Sequence, residues 1–456
     1  MLSLCFLLVA AAVAGTVHPL HAPTADVLEQ HHLALTENAG EMRVTFVILG
    51  SNAANLEAGV ASEVRWGTAP GANTHTAMAK DHTYTDGGFS GTIYEAVMTG
   101  LADGTEYFYS TGTIFGGLGS QEFSFTYRPD ADSIRFLSYG DMGVKNSHGT
   151  YTLANADAAT GAYDLLVNVG DTSYADDYKR GANAYIFDEH FRNIEPHAAR
   201  MPFMTCPGNH ESQYDFAGYL NRLHMPTMAG ASAALGPFYY SFDYGPVHFL
   251  VYSSEHTFEA GSEQHGFIAA DLLLASAPAQ RAKRPWIVMW SHRPLYCSDL
   301  MTWRGRCLNE ANKYRQSIEP LMVAAKVDVH ISGHNHQYER SHPVSGCGDD
   351  YKSGCNVTTS LHNAVGTVHI VNGAAGDVEG ADPTWQNQGK VPFRAVHDTG
   401  LHTGYARVSA NRTALDWSFI YSGSRAIPET NSSDDKDAGK VFDHFTLTKD
   451  QTWWGF

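Results

Sequence analysis

Five apolar segments that read as buried strands each end in a loop rich in polar side chains, and this series constrains the fold more than any other feature of the chain. The segments are short and rich in Val, Ile, Leu and aromatic residues, as the central strands of a layered sheet are. With the loops that follow them they read SIRFLSY-GDMG, DLLVNV-GDTSY, PFMTC-PGNHE, WIVMW-SHRP and VDVHIS-GHNH. Because ligands bind outside the carboxyl ends of strands in open α/β sheets, we expect the five loops to meet.

The side chains of these loops form a candidate metal site. Taken singly each motif is weak, because a Gly-Asp pair is usually a turn and a lone His is usually a hydrogen-bonded polar residue. Five such loops in order, most with a glycine that lets the backbone approach an ion closely, predict a metal centre. The metal-capable residues are Asp141, Asp171, Tyr174, Asn209, His210, His292, His334 and His336.

Helical patterns lie between several of these strands, which predicts an α/β layered domain over residues 133–450. The helical segments are YIFDEHFRNI, HGFIAADLLLAS and YRQSIEPLMVAA. The preceding residues, 22–128, contain short strands without helical periodicity, which predicts a β-sandwich. Its candidate strands are MRVTFVIL, SEVRWGT, HTYTD, GTIYEAVMTG, EYFYSTG and EFSFTYRP. The segment LADGTEYFYS resembles the turn and strand that close a fibronectin type III sandwich.

Composition narrows the class of partner. The chain has 456 residues with 48 acidic and 30 basic side chains, a formal charge of −18. This excess argues against a nucleic-acid partner, because phosphate-backbone binding needs a basic surface. The 24 His titrate near pH 6.5 when unperturbed, so mild acid would cancel much of that charge if they are exposed. We expect His31 and His32 on the surface, and His369 in the core or at a strand edge.

Several features predict export. Residues 1–14 are apolar, end in the small-x-small pattern Ala12-Val13-Ala14, and read as a signal peptide, being too short to span a bilayer. No later stretch is long and apolar enough for a membrane span, so we expect no membrane partner. Four Cys are disulfide candidates with three possible connectivities, of which local pairing is the simplest: Cys297, Cys307, Cys347 and Cys355. Three sequons are candidate glycan acceptors: Asn356, Asn411 and Asn431.

The ordered series of five motifs resembles the metallophosphoesterase superfamily, and Tyr174, three residues after the second Asp, narrows the resemblance to the purple acid phosphatases. The likeness covers most of the chain, since the long, plant-type members also carry an N-terminal β-sandwich. The closing stretch GYARVSANRTALDWSFIYS is similar to their C-terminal strands. The resemblance implies a layered αββα metallophosphoesterase domain after the sandwich.

The resemblance also implies a ligand set and a reaction. Fe(III) would be held by Asp141, Tyr174, His336 and a bridging Asp171. A divalent ion, Zn, Mn or Fe, would be held by Asp171, Asn209, His292 and His334. A metal-bound hydroxide would attack small phosphate monoesters in acid, while His210 binds the phosphate or protonates the leaving group. Glu211 and Tyr338 are expected to support the ligands.

Alternatives remain at this stage. A phosphodiesterase or nucleotide pyrophosphatase could use the same residues, and a non-catalytic phosphate-binding glycoprotein could retain them. Plant members carry a His pair about ten positions beyond the fourth-motif His, where this chain has Met301 and Thr302. The compartment is predicted to be extracellular, or lysosomal or vacuolar by the secretory route, and the oligomeric state is left open.

Overall fold

The computed structural model describes residues 27–49, 61–114, 117–232, 234–298, 307–349, 353–381, 391–424 and 436–450. The predicted signal segment, the Asn431 sequon, Met301 and Thr302 lie outside the described residues. Within the described ranges, none of the helices combines the length and the apolar character that a membrane crossing requires.

The first eight strands form two four-stranded antiparallel sheets, ordered β1-β2-β6-β5 and β4-β3-β7-β8. Buried and half-buried residues alternate along β7 and β8, because each sheet faces the shared core on one side. The predicted β-sandwich is thus confirmed as part of the fold class. The strands are β1 Leu28–Ala34, β2 Met42–Leu49, β3 Ser62–Gly67, β4 His75–Met78, β5 Lys80–His82, β6 Gly91–Met98, β7 Thr105–Thr113 and β8 Phe123–Tyr127.

The rest of the chain builds two larger mixed sheets and one small two-stranded sheet, with helices in the connections. The remaining strands are β9 Ser133–Tyr139, β10 Leu165–Asn168, β11 Phe203–Thr205, β12 Tyr240–Tyr244, β13 Val247–Val251, β14 Trp286–Trp290, β15 Val329–Ser332, β16 Tyr338–Ser341, β17 Val344–Ser345, β18 Asn356–Val357, β19 Val368–Asn372, β20 Arg394–His397, β21 His402–Asn411, β22 Ala414–Ser424 and β23 Val441–Thr448. The helices are α1 His148–Ala159, α2 Ala184–Ala198, α3 Ala217–Arg222, α4 Glu263–Ala275, α5 Pro278–Lys283 and α6 Cys307–Ala325. Helices α2 and α6 contain two of the predicted helical segments, and α4 contains the third except for its last residue, Ser276.

The order of the strands explains why the polar loops converge. One sheet runs β11-β10-β9-β21-β22-β23 and the other β12-β13-β14-β15-β19-β16-β20. Strands β9 to β11 are parallel neighbours, and so are β13, β14, β15 and β19. The two sheets are joined at the ends of β9 and β19, where the Gly140 N–H donates to the Asn372 carbonyl at 3.1 Å. All five loops therefore open at one edge.

Strand β1 connects the sandwich to α2 and corrects one expectation. His31 and His32 are buried, not on the surface. The His31 ring contacts Glu195 of α2 at 2.9 Å and Thr111 at 2.7 Å, and His32 Nε2 donates to the Arg222 carbonyl at 2.8 Å. Burial of these two rings is tolerated because both have hydrogen-bond partners. The expectation of a surface position rested on their polarity alone and could not include those partners.

The disulfides join cysteines that lie close together in the sequence, and the described sequon residues lie at the surface. The structure pairs Cys297 with Cys307 and Cys347 with Cys355, and it leaves Cys206 buried without a disulfide partner. The two sequon residues within the described ranges, Asn356 and Asn411, are exposed.

Two histidines on neighbouring strands β15 and β19 are buried on the face of their sheet that packs with α4 and α6. His330 and His369 have ring centroids 5.5 Å apart, and neither nitrogen of His369 has a hydrogen-bond partner. Burial lowers the pKa of His330 to about 3 and, together with the nearby His330, lowers the pKa of His369 well below its usual value. The unfolded chain, with imidazole pKa values near 6.5, therefore binds more protons than the fold once the pH drops below about 6.5.

We accordingly expect stability to be lost as the pH falls through 6.5 toward the folded pKa values. His369→Phe, which keeps a ring against Tyr296, should reduce the fall in Tm between pH 7 and pH 5. The matched control is His362→Phe at an exposed ring, which should leave that fall unchanged. Thermal unfolding at both pH values measures this, and equal slopes for His369→Phe and wild type would contradict it.

Candidate metal centre

Three of the predicted ligands form one buried cluster. The Tyr174 hydroxyl donates to Asp141 Oδ1 at 3.0 Å and lies 2.9 Å from His336 Nε2. His336 is oriented from behind, because its Nδ1 donates to the Gly380 carbonyl at 2.9 Å. Asp141 and Tyr174 are almost completely buried, so little water is available to satisfy them.

The other four predicted ligands form a second cluster beside the first. One ligand atom each from Asp171, His292 and His334 lies within 4.8 Å of the others. His292 Nε2 is 2.9 Å from Asp171 Oδ2 and 3.2 Å from Asn209 Oδ1. The two clusters adjoin, since the His334 N–H donates to the Asp141 carboxylate at 3.0 Å. All seven predicted ligands are therefore brought together.

The hydrogen-bond roles of these groups fit a cation. His292 Nδ1 donates to the Val169 carbonyl at 3.0 Å, so in the neutral ring Nε2 carries the lone pair. That lone pair faces the carboxylate of Asp171, whose buried Oδ2 has no hydrogen bond, and the amide oxygen of Asn209. Three electron-rich atoms turned toward one point need positive charge between them.

The pKa shifts of the clustered side chains also indicate that positive charge is favourable between them. Burial raises the pKa of Asp141 to about 7, although His292 and His336 oppose the rise. Burial alone would lower the pKa of His292, but the carboxylate of Asp171 holds that pKa at about 9. Burial and then Asp141 raise the pKa of Tyr174 well above its usual value. Positive charge between these groups would therefore be favourable, and without it the phenolate form of Tyr174 is disfavoured.

The backbone is strained at the ligands. Asp141, Asp171, Tyr174 and His334 have φ values of 56°, 47°, 57° and 68°, in the left-handed region that non-glycine residues rarely adopt. Each such residue costs about 1–3 kcal/mol, and such strain is characteristic of functional sites.

Two loop glycines make room for the carboxylates. A Cβ on Gly208 would lie 2.1 Å from Asp171 Oδ1, and one on Gly333 would lie 2.2 Å from Asp141 Oδ2. Any larger residue at these positions would push the carboxylate away.

Glu211 supports this arrangement as expected. Its carboxylate accepts hydrogen bonds from the backbone N–H groups of Asp171, Thr172 and Gly208, at 2.8–2.9 Å. It therefore holds the second and third loops together. Tyr338 differs from expectation, because its hydroxyl donates to Asp443 on β23.

His210 lies between the two clusters and the solvent. Its backbone N–H donates to Asp171 Oδ1 at 2.8 Å, and its Nδ1 is 2.8 Å from Asp176 Oδ1. Its Nε2 faces the site, 3.9 Å from Asp171 Oδ2. Burial opposes protonation, but Asp171 and Asp176 raise the pKa of His210 to about 10.

A sixth loop at this edge of the sheets, the one that follows β19, was not among the loops predicted from the sequence. After β19 the chain reads GAAGDVEG, with Asp377 Oδ1 3.2 Å from His336 Nδ1 and Glu379 4.0 Å from His336 Nε2. The signal was present in the sequence, because this loop repeats the pattern of an apolar strand followed by glycine and an acidic residue. Asp177, whose pKa is raised to about 6 by burial and by Glu379 and Asp176 despite His210, belongs to the same acidic surface.

A basic residue lies on the opposite side. Arg293 forms a paired contact with Glu255 at 2.8 and 3.1 Å, and its Nη1 is 2.9 Å from His334 Nε2. The charge of Arg293 is thus matched by Glu255 and directed at a predicted ligand.

Comparison with known proteins gives three family matches in chain order. Residues 28–127 match the purple acid phosphatase N-terminal domain, residues 134–338 the calcineurin-like phosphoesterases, and residues 366–435 the C-terminal domain of iron/zinc purple acid phosphatase-like proteins. Together they extend over the sandwich and the strands whose loops form the site.

Individual relatives agree with this. Human acid phosphatase type 7 is 32% identical over 400 residues, 83% of this chain and 84% of the relative. An Arabidopsis thaliana protein named probable inactive purple acid phosphatase 9 is 29% identical over 86% of this chain and 65% of the relative. The structure of a purple acid phosphatase from yellow lupin seeds superposes with a TM-score of 0.74 at 22% identity, covering 93% of this chain and 75% of that one, which supports the fold.

Proposed function

The chain belongs to the purple acid phosphatase family, and from this premise we propose that it hydrolyses phosphate monoesters in acid at a binuclear Fe(III)–M(II) centre. The observation that carries the proposal is the pair of adjoining ligand clusters, with seven metal-capable side chains from five loops turned toward one another.

We assign the ligands by their chemistry. Asp141, Tyr174 and His336 would hold Fe(III), and Asp171 would bridge to a Zn, Mn or Fe(II) ion held by the remaining ligands, Asn209, His292 and His334. Carboxylate and phenolate are hard anionic donors suited to a trivalent ion, whereas imidazole and amide suit a divalent one. When bound, the two ions supply Lewis-acid activation of the attacking water and positive charge for the phosphoryl oxygens.

The charges of the residues explain an affinity for phosphate. Asp141, Asp171 and Tyr174 would contribute three negative charges against the five of Fe(III) and a divalent ion. About two positive charges would remain for the phosphoryl group to neutralise, because Asn209 and the ligand His are neutral.

His210 is assigned to the phosphoryl group or the leaving oxygen. Since Asp176 accepts from Nδ1, the proton on Nε2 is the one available at the face toward the ligands. From there it can be donated to a phosphoryl oxygen, or to the departing alkoxide as a general acid.

Tyr174→Phe tests the Fe(III) assignment. The variant should lose the visible charge-transfer band, because the phenolate is removed while the ring that packs against His210 is kept. Metal analysis and a visible spectrum of the same sample measure this. An unchanged spectrum in a variant that still contains iron would remove the phenolate assignment.

His210→Ala tests the catalytic assignment. We expect kcat on an aryl phosphate to fall by about 10²–10⁴-fold with both metals retained, since general acid–base groups contribute that much. The control is His75→Ala, an exposed histidine on β4 that should leave kcat unchanged. Loss of metal in His210→Ala would instead favour a structural role in orienting Asn209.

Measurements on the wild-type protein distinguish a phosphate monoesterase from a phosphodiesterase and from a non-catalytic protein. A pH–rate profile on 4-nitrophenyl phosphate and on bis(4-nitrophenyl) phosphate separates a monoesterase from a diesterase. Protein that holds both metals and releases phosphate from no ester would support a non-catalytic role, as the name of the Arabidopsis relative suggests for that protein.

We also propose export through the secretory route, with residues 1–14 as the signal peptide and glycans on Asn356, Asn411 and Asn431. Support comes from the two local disulfides and from the exposure of Asn356 and Asn411. Disulfides of this kind persist in oxidising compartments.

A further inference from the structure

Carboxylates surround the face of His210 that the substrate would meet. Resting on the proposed function, we propose that Glu379, with Asp176 and Asp177, selects phosphate monoesters whose leaving group is cationic or uncharged over those whose leaving group is anionic. Glu379 is thus a specificity-determining residue, and the favoured substrate class is the phosphate monoester of an amino alcohol.

The position of Glu379 is the first step. His210 Nε2 is 3.9 Å from Asp171 Oδ2 on one side and 3.9 Å from Glu379 Oε1 on the other. Glu379 Oε2 is also 4.0 Å from His336 Nε2, so the carboxylate spans the gap between the two rings. A substrate oxygen that accepts a hydrogen bond from His210 would therefore lie within a few ångströms of Glu379.

The loop that carries Glu379 is anchored on both sides of it. The Gly380 N–H donates to Asp377 Oδ1 at 3.0 Å, and the Gly380 carbonyl accepts from His336. The Asp377 carbonyl accepts from Asn146 at 2.8 Å. The Glu379 side chain itself is 25% exposed, so it is held at the site and open to an incoming ligand.

The charges near His210 all have one sign. The charged side chains that the described structure brings within 4.0 Å of its ring are Asp171, Asp176 and Glu379. Asp171 would be neutralised by the metals, whereas Asp176 and Glu379 are each about one-quarter exposed and face the solvent. Arg293 does not offset them, because it lies against His334 and is paired with Glu255.

The consequence follows from Coulomb interactions. A phosphoryl group would be held by the metals, while the leaving group would point outward past His210 and the carboxylates. An ammonium group there is attracted and a second anion is repelled, and because the carboxylates are partly exposed, salt weakens both effects.

The test compares two esters of similar size, phosphoethanolamine and 2-phosphoglycolate. In both, water attacks phosphorus, the P–O bond to the alcohol breaks, and a proton ends on the alcohol oxygen. The readout is the ratio of their kcat/KM values, amine over carboxylate, with the metal-loaded protein at pH 5. We expect Glu379→Gln to lower this ratio about tenfold, and 4-nitrophenyl phosphate, whose leaving group has no charged amine or carboxylate, is the third ester for reference. Glu106→Gln, at an exposed position on β7, is the control and should leave the ratio unchanged.

Ionic strength supplies a second readout that needs no variant. Between low and high salt the wild-type ratio should fall several-fold, and the ratio for Glu379→Gln should fall less. Asp177→Asn, measured at pH 7 because the pKa of Asp177 is raised to about 6 by burial, should lower the ratio in the same direction as Glu379→Gln. These measurements decide the matter if Glu379→Gln is poorly folded or loses iron.

Several results would overturn the inference. If the ratio is unchanged in Glu379→Gln, or if salt does not affect the wild-type ratio, Glu379 does not select substrates by the charge of the leaving group. Equal loss of turnover on all three esters, with both metals retained, would make Glu379 a catalytic group instead. A wild-type protein that holds both metals yet hydrolyses none of the esters would overturn the proposed function as well, which is a different result from activity without selectivity.

Discussion

Gly333→Ala should abolish iron binding and lower kcat/KM by about 100-fold or more. The new methyl group would lie 2.2 Å from Asp141 Oδ2 and 3.2 Å from a Val169 methyl group, so the Asp141 carboxylate must leave its present position beside Tyr174 and His336. Displacements of about 1 Å in a catalytic constellation already cost about that much. Iron content, visible absorption and turnover of the purified variant measure the effect.

The matched control is Gly266→Ala on helix α4, where an added Cβ meets no atom within 4 Å. This variant should keep both metals and full activity, and it should unfold at a slightly higher temperature, since alanine is favoured over glycine in helices by about 1 kcal/mol. A Gly333→Ala variant that resembles Gly266→Ala in metal content and rate would show that the Asp141 position is not needed.

Asp171→Asn should lose both metals, and its activity should fall by at least about a thousandfold. This exceeds the loss of about 10–100-fold that follows when a residue supporting a metal ligand is replaced. The amide has nearly the shape of the carboxylate but no charge, so it cannot bridge two cations. Its N–H₂ group would either donate to the lone pair of His292 Nε2, where a metal would otherwise lie, or face the His210 N–H, where Asp171 Oδ1 now accepts. We expect the fold to persist, because Glu211 still ties the neighbouring backbone together.

Metal analysis and near-ultraviolet circular dichroism of the same preparation separate loss of the site from loss of the fold. Asp130→Asn, at a side chain that is 72% exposed, is the control for removing one acidic charge. A metal-loaded and active Asp171→Asn would contradict the bridging assignment.

The convergence of the five loops was predictable from sequence because it follows from parallel pairing. Strands such as β9 and β10 can be recognised by their apolar runs, and parallel neighbours end at the same edge of the sheet. The helices between them were predictable for the related reason that parallel strands need crossover connections. Assignment of individual ligands rested on family resemblance, and the roles of the ligands remain predictions.

Other parts were not predictable because tertiary contacts decide them. Strand β1, with the polar run Gln30, His31 and His32, has no apolar alternation, and it is buried only because α2 and α3 supply partners for its side chains. The segment HTYTD was predicted as a strand, but only His82 at its start belongs to β5, and the chain then enters a 3₁₀ turn at Asp86–Gly88. Fewer His can offset the negative charge in mild acid than their number suggests, because His190, His197 and His330 are buried as well as His369, for which a place in the core or at a strand edge was expected.

The position of β9 has a consequence for how the protein is made. This strand leads into Asp141 and lies between β10, which follows soon after it, and β21, which begins only at His402. Until the ribosome has released the chain through about residue 411, one side of β9 is an unpaired edge. The last strands synthesised therefore complete the sheet that carries Asp141, so this sheet can close only when nearly the whole chain is available.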